Sequence, residues 1–79
     1  MPRFYFDIHD GVWSRDDVGV ECRNIEEACR HAKRTLPAMA LDSIPRDGDR
    51  HTITVMVTND DRRTVYAATL TFSGLLVDR

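Results

Sequence analysis

Acidic and imidazole side chains near the start of the chain are the residues best suited to chemistry. Asp7 and His9 are two residues apart, and Asp10 follows them directly. In an extended strand such a pair projects from one face, with the side chains about 7 Å apart. Together with Asp16 and Asp17 they form a candidate divalent-cation site, which would be the basis of a small metal-dependent enzyme. Their spacing matches no metal-binding motif, and solvated strand and turn residues explain it more simply. We therefore predict no metal, no cofactor and no catalytic residue.

A cysteine nucleophile is the second candidate. Cys29 could pair with His31 or His51 as a general base. Cys29 falls on an apolar helix stripe, however, where a free cysteine acts as a small hydrophobe. Cys22 precedes a predicted helix start, a position that can lower a thiol pKa, but it lacks a partner base. Two cysteines and no secretory leader favour a cytoplasmic protein with both thiols reduced.

The elements that must position these residues begin with a hairpin. Apolar and polar residues alternate over residues 4–9, which is the period of a half-buried strand. Asp10 and Gly11 then supply the residue types that favour a tight turn. Segment 12–22 predicts a second strand region in two short pieces, with a bend at 16–19.

A helix is predicted to follow, with Asn24 as its N-cap and Glu27 reaching back to the cap's own amide. Apolar residues at steps of three and four predict one buried stripe: Ile25, Ala28, Cys29, Ala32, Leu36, Met39, Ala40 and Ile44. Pro37 interrupts this pattern, because proline removes a helical hydrogen bond and clashes with the preceding turn. We expect a kinked or broken helix, with one part ending near Leu36 and a second covering 38–44.

The last part of the chain predicts a polar loop at 45–49 and a second hairpin, with strands at 51–58 and 64–72. Two hairpins separated by a helix predict an α+β fold of the type ββαββ, a four-stranded antiparallel sheet with one helix on one face. Keeping all neighbours antiparallel gives the strand order 2-1-3-4. We predict a single domain over 1–79, with an apolar C-terminal tail at 73–79.

The sheet face away from the helix is the leading candidate for function. It is too apolar for an indifferent solvent surface and has neither lysine nor glutamate, as is typical of interfaces. The candidate interface residues on this face and in the tail are Tyr5, Met56, Val65, Ala67, Leu75 and Leu76. The tail could cover the face within the chain or cross to a neighbour. We predict a non-enzymatic protein-interaction module that forms a homodimer through its open sheet face or an edge strand, with another protein as a possible partner.

An antitoxin-like or nucleic-acid-binding regulator is the alternative, and a metal-dependent small enzyme is the third. The candidate contacts of such a regulator are two basic pairs, Lys33 with Arg34 on the helix and Arg62 with Arg63 in the last turn. Eleven basic residues are interleaved with thirteen acidic ones, and the net charge is −2. Nucleic-acid binding relies on clustered positive charge, so a nucleic-acid partner is not expected, and no apolar run is long enough to predict a membrane span.

These motifs resemble a family of short uncharacterised bacterial proteins. The resemblance is carried by the start MPRFYFDIHDG at residues 1–11, the turn at 16–19, the helix entry at 24–28 and the closing strand pair. It implies the same fold and carries no assigned activity. Similar proteins have an uninterrupted alanine-rich helix where this chain has Pro37. The element order is also similar to that of the antitoxin half of a bacterial toxin–antitoxin pair, a likeness of fold alone.

Overall fold

The computed structural model describes residues 1–78, leaving aside the side chains of 45–47. It is an α+β fold with the elements β1 (Arg3–His9), β2 (Trp13–Ser14), β3 (Val20–Glu21), α1 (Ile25–Asp47), β4 (Arg50–Thr58) and β5 (Thr64–Ser73). The strands form an antiparallel sheet in the order β2-β1-β4-β5, and β3 also pairs with β1. The predicted order of hairpins and helix is confirmed. The predicted second strand region forms two short strands, β2 and β3, so the sheet has five strands rather than four.

The first hairpin turns at Asp10, whose N–H donates to the carbonyl of Val12 at 3.0 Å. Beyond β2, the carboxylate of Asp16 replaces strand pairing along β1. Its Oδ2 accepts the N–H of Phe6 at 3.1 Å, and its Oδ1 accepts the N–H groups of Val18 and Gly19 at 3.0 and 2.9 Å. The bend predicted at 16–19 therefore does more than turn the chain. It supplies the hydrogen-bond acceptor for the Phe6 N–H of β1, between the segments of β1 that pair with β2 and β3.

Helix α1 begins as predicted, with the Asn24 side chain accepting the N–H of Glu27 at 2.9 Å. The Glu27 carboxylate reaches the N–H of Arg23 at 2.7 Å, one residue before the cap amide that we expected. Of the two outcomes predicted at Pro37, a kink or a break, the break is wrong, because α1 is one continuous helix of 23 residues. Because Pro37 has no N–H, the carbonyl of Lys33 lacks its helical hydrogen bond. Both residues lie on the exposed side of α1, where water can hydrogen-bond this carbonyl. The loop expected at 45–49 begins at Gly48.

The core lies between α1 and one face of the sheet. Its buried apolar residues are Phe4, Phe6, Cys22, Ala28, Ala32, Leu36, Ala40, Ile53, Val55 and Val57. The small residues of the helix stripe let α1 approach the sheet, and the branched and aromatic residues of β1 and β4 fill the space between them. Ile25 departs from the prediction, since its side chain is 46% exposed.

The second hairpin contains a register shift between Val57 and Thr58. Thr58 pairs with Thr64 and Val57 with Tyr66, so Val65 is the extra residue of a β-bulge in β5. Val65 is half-buried and packs against the core. Its assignment to the open face was therefore wrong, because a bulge breaks the period-2 alternation on which that assignment relied.

Candidate functional site

The acidic residues of the candidate metal site have other partners. Asp7 Oδ1 accepts the N–H of Asp16 at 2.8 Å, and Asp10 Oδ1 lies 2.8 Å from His51 Nε2. The His9 ring packs on Trp13, with 4.8 Å between ring centroids. No group of three or more potential ligands converges within residues 1–78. These side chains therefore make contacts within the protein around β1 and do not converge on a metal position.

The cysteines do not form a nucleophile–base pair in the described part of the chain. Both are free thiols. Burial, followed by the nearby charge of Glu27, raises the pKa of the Cys22 thiol above its ordinary value, which disfavours the thiolate. The suggestion that the helix start lowers this pKa is therefore wrong. Cys29 is half-buried, and the ring of His31 packs against Phe6 with 4.7 Å between centroids.

The basic residues do not form one surface. Lys33 and Arg34 lie on the exposed side of α1, which covers one face of the sheet. Arg62 lies over the opposite face, with its guanidinium carbon 4.3 Å from the centroid of the Tyr5 ring. Arg63 is exposed in the turn beside it. A nucleic acid that contacted both pairs would have to pass around the sheet.

The β5 edge is exposed backbone. Within the described chain β5 pairs with β4 alone, over a register that extends from Arg50–Ser73 to Thr58–Thr64. The sequence of β5, TVYAATLTFS, has no charged residue, no glycine and no proline. Charged residues and prolines are the usual means by which an edge strand avoids pairing with another chain. The β5 edge lacks both.

An apolar groove of about 400 Å³ runs beside the end of β5. It is lined by Pro37, Ala40, Leu41, Ile44, Leu70 and Phe72. The C-terminal tail follows the same strand, and Leu75, Leu76 and Val77 are 84%, 64% and 87% exposed. The tail therefore does not cover the sheet within the chain, which removes one of the two roles predicted for it.

A larger groove, of about 740 Å³, opens on the sheet face opposite α1. It is lined by Asp7, Trp13, Arg15, Met56, Thr58, Arg62 and Thr64. Thr58 is only 8% exposed, and its hydroxyl has no hydrogen-bond partner within the described residues. Buried hydroxyls are normally paired, so this one marks an unusual position in the sheet.

The charges around this groove are fixed by neighbouring groups. Burial raises the pKa of Asp16, but the N–H groups of Gly19, Phe6 and Val18 and the charge of Arg62 outweigh it, and the net pKa is lowered from the ordinary 3.8. Asp16 therefore stays ionised close to the groove. The charged residues that line the groove are two arginines, Arg15 and Arg62, and one carboxylate, Asp7.

The sequence reasoning missed Arg15 and Thr58 as groove residues. Arg15 follows Trp13 at the two-residue spacing of a strand face, and that spacing was a usable signal. The burial of Thr58 had no local signal, because its partners, Tyr5 and Thr64, lie on two other strands. Of the predicted interface residues, Tyr5 is half-buried under Arg62, Met56 lines the groove, and Ala67 is exposed.

The fold and these surfaces define a small α+β domain with one helix-covered sheet face and one bare edge. Comparison with protein families gives the assignment. A family model described as a domain of unknown function (DUF6894) matches residues 3–71, and the chain belongs to this family. No curated protein and no solved structure matches the chain. Across residues 1–78, no helix is both long enough and apolar enough to span a bilayer.

Proposed function

We propose that this protein is a non-enzymatic interaction module that forms a homodimer by pairing β5 with β5 of a second copy. The observation that carries the proposal is the β5 edge, a ten-residue strand without charge or proline and with one side unpaired. Pairing two such edges satisfies the N–H and C=O groups that point away from β4. An antiparallel pair of identical strands has two-fold symmetry, which closes the assembly at a dimer.

The apolar groove and the tail support this pairing over association through the open sheet face. The open face carries charged side chains at one end, including Arg15 and Arg62, and burying them against a copy of themselves would be unfavourable. The β5 edge is instead bordered by Leu41, Leu70 and Phe72, whose burial favours association. The groove and the exposed tail lie at the same end of β5, so they can be covered together.

One register would bring the tail of each copy beside the other copy's β5. If the strand pair is centred on Phe72, Leu76 of each copy lies opposite Ala68 of the other, because the residue numbers of opposed residues then have a constant sum. Opposed residues share a sheet face, so Leu76 would point to the α1 side, towards the groove beside Leu70. Leu75 and Val77 would extend the pairing on the other face. The tail would then exchange between the two copies.

Sedimentation velocity at micromolar concentration tests the proposal. The natural chain is expected to sediment as a dimer. The double variant Ala67→Lys/Thr71→Lys is expected to be a monomer, because it places like charges along both paired edges. Both positions are exposed and face away from the core, so the monomer fold should survive.

The matched control compares the single variants Thr71→Lys and Thr52→Lys, since Thr52→Lys adds the same charge on the same face directly opposite Thr71, but on central strand β4. Thr71→Lys should weaken the dimer, and Thr52→Lys should leave it intact. If Thr52→Lys dissociates the dimer as fully as Thr71→Lys, the interface is the sheet face and not the edge. A natural chain that sediments as a monomer would contradict the dimer altogether.

The tail is tested separately by Leu76→Asp. We expect this variant to weaken the dimer by about tenfold or more, since it places a charge where an apolar side chain would be buried. Unfolding of the monomer should be unaffected, since Leu76 is already exposed. An unchanged dimer would remove the tail from the interface while leaving strand pairing in place.

A further inference from the structure

The groove on the open sheet face has the size of a small-molecule site. It extends across the sheet from Trp13 and Arg15, next to β1, to Thr64 at the start of β5, and it shares no residue with the segment 67–77 that the proposed dimer would pair. Its volume of about 740 Å³ is within the range of ligand-binding pockets. Its lining is mainly polar, with Trp13 and Met56 as the two apolar residues, so it suits a charged ligand better than an apolar one.

Two positive charges border the groove. The Arg62 guanidinium is held over the Tyr5 ring at 4.3 Å, a cation–π contact that orients it. Arg15 makes no ion pair with any residue in 1–78. Guanidinium groups offer forked N–H donors that match the oxygens of carboxylate and phosphate groups. The lining holds two arginines and one carboxylate, that of Asp7, and the ionised Asp16 interacts with Arg62, so Arg15 supplies the positive charge that no carboxylate pairs with in the described chain.

The hydroxyl of Thr58 is the independent observation. Thr58 is only 8% exposed, and its Oγ1 is buried and has no hydrogen-bond partner in the described chain. An unpaired buried hydroxyl destabilises a fold, so a structure that retains one next to a charged groove suggests that the hydroxyl is used by a ligand. An oxyanion held by Arg15 or Arg62 would offer acceptor oxygens to it.

Trp13 and Met56 supply the apolar part. Trp13 is 55% exposed, and its ring lies 4.8 Å from the ring of His9, so its free side gives the groove a flat aromatic wall. Flat aromatic walls bind planar groups by stacking. We propose that the open-face groove binds a small planar molecule that carries a carboxylate or phosphate group, with the ring against Trp13 and the anion between Arg15, Arg62 and the Thr58 hydroxyl.

Titration followed by ¹H–¹⁵N nuclear magnetic resonance tests the site. Trp13 is the only tryptophan, so its indole N–H signal reports directly on the groove. The probes are adenosine 5′-monophosphate, 2-naphthoate and inorganic phosphate. The first two compare phosphate with carboxylate on a planar ring, and the third tests the anion without a ring. Either ring-bearing probe, or both, should shift the Trp13 indole and Thr58 amide signals, and inorganic phosphate should bind more weakly. If neither ring-bearing probe moves these signals at millimolar concentration, or if phosphate binds as tightly, the proposal is wrong.

Two variants and a control assign the roles. Arg15→Gln should weaken the bound probe about tenfold, whereas Arg63→Gln, an arginine next to Arg62 that does not line the groove, should leave it unchanged. Equal losses would mean that only general charge attraction was measured. Thr58→Val should weaken the probe about threefold or more without lowering the unfolding temperature, because it removes an unpaired hydroxyl and keeps the shape. A strongly destabilised Thr58→Val variant would show that the hydroxyl has a structural partner, which would also overturn the proposal.

Discussion

The β1 edge and the β5 edge of the same sheet differ in what satisfies their backbone groups. Along β1, two short strands and the carboxylate of Asp16 cover the edge, and Arg3 ties the connecting loop by donating to the carbonyl of Val18 at 2.8 Å. Along β5, ten residues without charge have no strand on their outer side within the described chain. One edge is closed within the chain, and the other is available to a second chain.

This difference indicates which edge the proposed dimer would use. An open sheet has two edges to protect, and each needs a loop, a strand or a partner to cover it. Here the segment between β2 and β3 closes one edge with few residues, because a single carboxylate accepts several N–H groups. The remaining edge, beside an apolar groove, gains most from a partner.

Removal of the Asp16 carboxylate should have the largest effect on this comparison. Asp16→Ala leaves the N–H groups of Phe6, Val18 and Gly19 without their acceptor, so we expect the free energy of unfolding to fall by about 2–4 kcal/mol. Urea unfolding measures it. Asp17→Ala is the matched control, since Asp17 is exposed and its change should stay within about 0.5 kcal/mol. Equal effects of the two changes would mean that Asp16 does not close the β1 edge.

The loop at 16–19 packs closely against β1, which gives a second prediction with a smaller expected loss of stability. Gly19 and Gly11 both have positive φ, 76° and 82°, so alanine at either position meets the same backbone cost. A Cβ at Gly19 would lie 2.8 Å from Arg3 Cγ and 2.9 Å from Tyr5 Cε2, whereas a Cβ at Gly11 has nothing within 4 Å. Gly19→Ala should therefore destabilise the fold by about 1–3 kcal/mol more than Gly11→Ala.

Thermal and urea unfolding of both glycine variants at one protein concentration give this difference directly. Indistinguishable losses would indicate that the loop can move away from β1. The β1 edge would then be closed less firmly than the hydrogen bonds of Asp16 suggest.

Local signals in the sequence predicted the elements that depend on local physics. The Asn24 cap, the Asp10–Gly11 turn and the strand alternation each act over a few residues, and each is present. Pro37 was misjudged for the same reason. Its local cost is real, but α1 is held by packing of Ala28 and other stripe residues on the sheet, which outweighs it.

The features that decide function depend on contacts between distant segments. In the sequence, Asp16 is a turn former, and only the pairing of β1 with β2 and β3 brings its carboxylate to Phe6 ten residues away. Thr58 is a strand residue that is buried between Tyr5 of β1 and Thr64 of β5, its partners in the two neighbouring strands, and the β5 bulge places Val65 away from the open face. No periodicity predicts either, because the first depends on other strands and a bulge shifts the register without changing the residue types.

Acid should weaken the closed edge less than Asp16→Ala does, because protonation removes the charge and keeps one acceptor oxygen. The pKa of Asp16 is lowered in the folded state from 3.8, so the folded state binds this proton less tightly than the unfolded state. The resulting stabilisation is fully present above that value and is lost as pH falls through the folded pKa. Glu27, whose pKa the N–H of Arg23 lowers from 4.5, adds a loss of the same sign. We expect the stability difference between the natural chain and Asp16→Asn to stay constant above about pH 5 and to shrink as pH falls below 3.8, as measured by urea unfolding. The Glu27 contribution is common to both chains and cancels, so parallel curves over this range would mean that the Asp16 charge does not help to hold the β1 edge.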